Sequence, residues 1–123
     1  MNMKKLVFVL VLLFAAAALF AQSVDLEKFP KGRWLDANWD AIWEFSATGI
    51  RLTTTDGSFT YNFNSGNMQG FKLTMSGIQP AISFSCADTE RTYLFKAALP
   101  STDVVMEIER SGKPKYTVTM KKQ

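Results

Sequence analysis

Three carboxylates, Asp36, Asp40 and Glu44, recur at every fourth position among the tryptophans Trp34, Trp39 and Trp43. On a helix they would share one face and could hold a cation or divide acid and base work between them. On strands joined by a loop they separate, and the same run reads as a solvated rim. The chain has no histidine, which removes Ser-His and Cys-His pairs and every histidine metal ligand. Glycines such as Gly49, Gly57, Gly66, Gly77 and Gly112 fall singly at turn positions, never in the cluster that cradles a phosphate. Cys86 stands alone, closes no disulfide within the chain, and follows Ile82 and Phe84 on an apolar register, where a cysteine acts as a small buried hydrophobe. No catalytic residue, no metal site and no cofactor is expected.

The elements that would carry these residues are strands. The tryptophan stretch is locally ambiguous, because Leu35, Trp39, Ile42 and Trp43 recur at helical spacing while Trp43 and Phe45 flank Glu44 at strand spacing. The turn signal Ser46-Ala47-Thr48-Gly49 and the alternating run from Ile50 to Thr54 resolve it into a hairpin of residues 41–46 and 50–54, preceded by a short strand over 32–35. Alternation then continues through Phe59, Tyr61 and Phe63; Phe71, Leu73 and Met75; Ile82, Phe84 and Cys86; Tyr93 and Phe95; Val104, Met106 and Ile108; and Tyr116, Val118 and Met120. Each run ends in turn residues, and no connection has room for a crossover helix. The expected fold is all-β: a small antiparallel up-and-down β-barrel of about eight to nine strands, closed on itself so that no strand is left at an edge. A two-sheet sandwich is the alternative. Residues 23–30, with Ser23 or Asp25 as cap and Pro30 as stop, read as a short N-terminal helical turn covering one end.

Residues 1–21 read as a secretory signal peptide: Lys4 and Lys5 precede an apolar run from Leu6 to Phe20, with a cut expected between Ala21 and Gln22. That leaves residues 22–123 as one barrel domain, periplasmic or secreted, not membrane-spanning after cleavage. Losing two lysines lowers the formal net charge from +3 to about +1, which gives nucleic-acid binding no support. Lys113, Lys115, Lys121 and Lys122 make the last hairpin basic, as solvent-facing lysines that keep strands soluble do. The runs are also shorter than the roughly 9–11 residues of a membrane-crossing strand, and their second faces are polar.

What remains is the apolar face. Trp43, Phe45, Tyr61, Phe63, Phe71, Phe84, Tyr93, Phe95 and Tyr116 converge inside, where an eight-stranded barrel is filled by side chains or holds one small ligand. The three tyrosines would give such a ligand its polar handles.

Gly32-Arg33-Trp34 after a short turn resembles the Gly-x-Trp signature that opens the first strand of lipocalins and of small bacterial lipocalin-like (calycin-type) domains, and Trp43-Glu44-Phe45-Ser46-Ala47-Thr48-Gly49 looks like the first hairpin of the bacterial versions. The resemblance implies that Gly32 and Trp34 form the barrel plug, with Arg110 or Lys121 as a cation over Trp34, and that Thr102-Asp103 echoes the family's second Thr-Asp motif. It implies an exported protein that binds a small apolar or amphipathic ligand in the barrel interior. Secreted protease inhibitors on similar barrels match comparably, so an envelope protein or a secreted hydrolase engaged through rim loops is the other expectation. Trp39, in the irregular connection beside Asp36 and Asp40, is the expected partner contact.

Overall fold

The computed structural model describes residues 24–123, and among them the chain forms nine β-strands and no helix. They are β1 (Gly32–Asp36), β2 (Ala41–Phe45), β3 (Ile50–Thr54), β4 (Thr60–Phe63), β5 (Gln69–Ser76), β6 (Gln79–Cys86), β7 (Arg91–Ala97), β8 (Val104–Glu109) and β9 (Tyr116–Lys122). The expected signal peptide and Ser23 lie outside the described residues. The expected N-terminal helical turn is, in its described part, a single reverse turn: Phe29 N–H donates to Leu26 O at 3.0 Å, and Asp25 Oδ1 accepts from Glu27 N–H at 3.0 Å.

All strands belong to one antiparallel sheet in the order β4-β3-β2-β1-β9-β8-β7-β6-β5. The first and last strands of the sequence are therefore joined in the middle, and the row curls into a half-barrel whose free edges are β4 and β5. The expected complete closure is not what the strands reach, and the reason is parity. In an all-antiparallel row of nine, the two end strands run the same way. Parallel neighbours need a crossover of about a dozen residues or more, whereas β4 and β5 are linked only by residues 64–68. Counting 32–35 as a strand of its own makes the number odd and leaves the seam unpaired.

Alternation sets what faces inward. Across β1 to β4 the register aligns Trp34 with Trp43, Leu52 and Tyr61, and Gly32 with Phe45, Ile50 and Phe63. Across β6 to β9 it aligns Phe84 with Tyr93, Ile108 and Tyr116, and Ile82 with Phe95, Met106 and Val118. The two groups meet ring on ring: Trp43 lies 5.3 Å from Phe95 and 5.9 Å from Tyr93, and Phe63 lies 5.5 Å from Phe84. Leu26 and Phe29 cover one end, with Phe29 5.1 Å from Phe45. The β2–β3 turn packs so closely on β4 that a Cβ on Gly49 would stand 2.7 Å from Phe63 O.

Two segments depart from the alternation. The inner face of β5 is only half-covered at Phe71 and Leu73 and exposed at Met75, because among the described residues no strand lies beyond it in the row. Phe59 precedes β4 and is exposed rather than turned inward.

Candidate functional site

Among the described residues, the buried charged side chain lies at the end of β1. Asp36 is the inward residue after Trp34 and is 1% exposed, so the expectation that it belongs to a solvated rim is overturned. Burying a carboxylate is tolerable only when it is hydrogen-bonded. Here Tyr116 Oη stands 2.9 Å from both Asp36 oxygens and donates to them, and Asn38 N–H donates to Oδ1 at 3.0 Å. Asn38 Nδ2 in turn donates to Tyr116 Oη at 3.1 Å. Burial raises the Tyr116 pKa and the Asp36 carboxylate raises it further, against an opposing hydrogen bond from Asn38. Asp40 and Glu44 do not join this group. Asp40 occupies a left-handed turn conformation at φ 48°, which aspartate tolerates better than most residues, and its carbonyl accepts from Thr55 N–H at 2.8 Å. Glu44, on β2, faces Arg51 of β3.

Trp39 rides on that assembly. It is 70% exposed, yet its indole meets the Tyr116 ring edge to face at 6.4 Å. The outcome is a large aromatic held in water by a neighbour that is itself tied down.

Gly32 and Trp34, the residues expected as a plug, both lie on β1. Trp34 is buried, and its Nε1–H donates to Thr102 O at 2.7 Å, a contact that the sequence reading did not foresee. The cation over its ring is Lys122, with Nζ 5.7 Å from the centroid, and neither Arg110 nor Lys121. Register explains the correction: Lys122 pairs with Trp34 on β1, and Lys121, one step along, points outward and reaches Asp103 Oδ2 at 2.7 Å. Gly32 has φ +138°, and a Cβ there would meet Lys122 Cε at 3.2 Å and the Trp34 ring at 3.5 Å.

The expected interior ligand residues divide. Trp43, Phe45, Phe63, Phe84, Tyr93 and Phe95 are buried and pack on one another at centroid distances of 5.1–6.4 Å. Tyr61, Phe71 and Tyr116 are half-buried around them. Each tyrosine hydroxyl is taken up by the protein itself: Tyr61 donates to Asp88 at 2.9 Å, Tyr93 to Thr89 at 2.9 Å and Tyr116 to Asp36. Tyr61 also contacts Cys86 Sγ at 3.5 Å, and that contact, with burial and Asp88, raises its pKa. Two surface depressions, of about 440 and 410 Å³, lie elsewhere. The first is lined by Glu90, Arg91, Glu109 and Arg110 beside Cys86, and the second includes Phe63, Glu44 and Arg51. Among the described residues, no group of three or more acidic or cysteine side chains is placed to hold a metal ion, and no helix is long and apolar enough to cross a membrane.

Comparison of the chain with protein-family models, with curated proteins and with solved structures gives no match in any of the three.

Proposed function

We propose that this chain is an exported lipocalin-like binding protein that works through its rim, with residues 37–40 as the contact loop and Trp39 as the anchor for an envelope or secreted protein. The observation that carries this reading is the pairing of exposure and fixity at Trp39: an indole 70% exposed but seated on Tyr116, which is bound to the buried Asp36. A large aromatic in water gains by burial against a partner, and one already held in place loses little entropy on binding. The lipocalin-like reading rests on the Gly32-Arg33-Trp34 motif, the Lys122 cation over Trp34 and the antiparallel half-barrel.

A photo-crosslinking residue at position 39, in the cell that exports the protein, tests it. A discrete protein adduct from position 39 and none from exposed Thr119 on β9 supports rim binding, and the Trp39→Ala protein then binds that partner about 30-fold more weakly or worse. No adduct from position 39 sinks it.

The half-buried Tyr61, Phe71 and Leu73 along the unpaired seam favour a second reading, a small apolar or amphipathic ligand entering the interior there. Saturable, stoichiometric binding of an environment-sensitive apolar probe, followed by tryptophan fluorescence, supports it. Silence, together with no lipid on solvent extraction of the native protein, removes it.

A further inference from the structure

The loop that carries Trp39 does not stand alone at the rim. Thr55 N–H donates to Asp40 O at 2.8 Å, which lays the β3–β4 connection, residues 55–59, alongside residues 37–40 and brings Asp56 next to them. Both aspartates are exposed, and among the described residues neither has a basic side chain in ion-pair contact. Asp56 is held in place: its Oδ1 accepts from Ser58 N–H at 2.9 Å, from the Ser58 hydroxyl at 2.7 Å and from the Thr54 hydroxyl at 2.9 Å. Those bonds keep its pKa below the ordinary aspartate range, and they leave Oδ2 unused. Asp40 is fixed through its backbone, by the Thr55 bond and by its left-handed turn conformation at φ 48°. The turn before Tyr116 is basic, but its Lys115 is drawn onto Glu107 at 3.1 Å and Glu109 at 3.6 Å. Trp39 therefore stands in water with one fixed carboxylate on its own loop and another on the loop bonded to it.

We infer that the partner presents an arginine to this rim, its guanidinium seated on the Trp39 indole with Asp40 and Asp56 as counter-charges. The inference rests on the rim reading above and names the chemistry that the contact loop selects. The face of an indole attracts a cation through its quadrupole, and tryptophan is the best of the aromatic residues at this. Arginine suits the site better than lysine, because its planar, weakly hydrated guanidinium stacks on a ring and still bonds a carboxylate at its edge. The same carboxylates turn away an acidic partner or an anionic lipid surface, which gives the rim selectivity as well as affinity.

Two measurements test it. The protein is expressed from its full-length chain and purified in the form the cell leaves it, and its fluorescence is quenched with caesium chloride or potassium iodide at equal ionic strength. Trp34 and Trp43 are 1% and 3% exposed, so the quenching reports Trp39. Referred to free N-acetyltryptophanamide, the ratio of caesium to iodide quenching is raised about twofold by the flanking carboxylates. It returns to the reference when Asp40→Asn and Asp56→Asn are combined, and Glu27→Gln, beside Leu26 at the covered end, leaves it raised. If Arg110 and Lys113 of the turn before Tyr116 set the potential instead, iodide is favoured and the inference is overturned. The second measurement uses the adduct captured from position 39. The crosslinked peptide of the partner contains an arginine, and Asp40→Asn and Asp56→Asn each weaken binding of that partner about two- to fivefold. A crosslinked peptide without arginine, or affinities that neither variant changes, overturns the inference and leaves the rim reading standing. No adduct from position 39 removes both.

Discussion

Tyr116 and Trp34 show what single side chains contribute here. The Tyr116 hydroxyl is the main donor to a carboxylate that is out of contact with water. Tyr116→Phe leaves Asp36 with the Asn38 N–H and costs about 1–3 kcal/mol of stability, measurable by urea denaturation at neutral pH. The same residue makes stability depend on alkali. Its pKa is raised in the folded state, so its contribution is complete below the unfolded tyrosine value of about 10 and is lost as pH climbs through the raised folded value. Tyr116→Phe removes that part of the loss, and an unchanged alkaline slope would contradict the assignment. Trp34→Ala deletes a buried indole together with its bond to Thr102 O and its contact with Lys122, for about 3–5 kcal/mol. That Trp34 turns inward was legible in the sequence, because a large aromatic at the start of an alternating strand is a local signal. Family likeness points to Arg110 or Lys121 as the cation over Trp34, whereas strand register places Lys122 there. One more step of the alternation Tyr116, Val118, Met120 puts residue 122 on the inner face, as the structure has it. The burial of Asp36 had no such signal, since a carboxylate turns inward only when a donor 80 residues away meets it.

At the level of strands, β6, β7 and β8 were readable because period-two alternation is a direct consequence of the pleat, and their inner residues are buried except for the half-buried Ile108. β5 has the same pattern and is half-exposed, because alternation records which side is apolar and not whether a neighbouring strand covers it. The outer face of the last strands is held by charges. Glu107 on β8 bonds Lys96 of β7 at 2.7 Å and Lys115 at 3.1 Å, and these hydrogen bonds hold its pKa below the ordinary glutamate range. A lowered carboxylate pKa stabilises the fold above the unfolded value, about 4.3, and the gain disappears as pH falls through the folded value. The acid-side loss of melting temperature is therefore smaller for Glu107→Gln than for wild type. Because Lys96 and Lys115 are each about half exposed, solvent screens the pairs and the effect at neutral pH is slight, within about 1 kcal/mol.

The whole molecule is held together where the sequence gives least warning. β1 and β9 lie at opposite ends of the described chain, and their pairing of Trp34 with Lys122 and Leu35 with Lys121 joins β1–β4 to β5–β9. No local pattern chooses between that joint and a closure at β4 and β5, and with an odd number of strands only one of the two can be antiparallel. The joint is reinforced by the bonds from Trp34 to Thr102 and from Tyr116 to Asp36, and by Gln123 N–H donating to Arg33 O at 2.8 Å. Behind it, Trp43 stacks on Phe63 of its own half and packs against Tyr93 and Phe95 of the other. A core shared in this way makes the two halves one cooperative unit, and the three tryptophans allow that to be measured. All of them lie on β1, β2 and the loop between, so their fluorescence reports the first half, while far-ultraviolet circular dichroism reports every strand. For the intact protein the two urea curves coincide, as two-state unfolding requires. Ending the chain after Thr119 removes the buried Met120, the Lys122 cation and the Gln123 bond. The curves then separate, with fluorescence moving first, because the four strands that lose the joint bury less on their own than the five that keep each other. Coincident curves in the truncated chain would instead assign cohesion to the ring packing behind the joint rather than to the β1–β9 ladder.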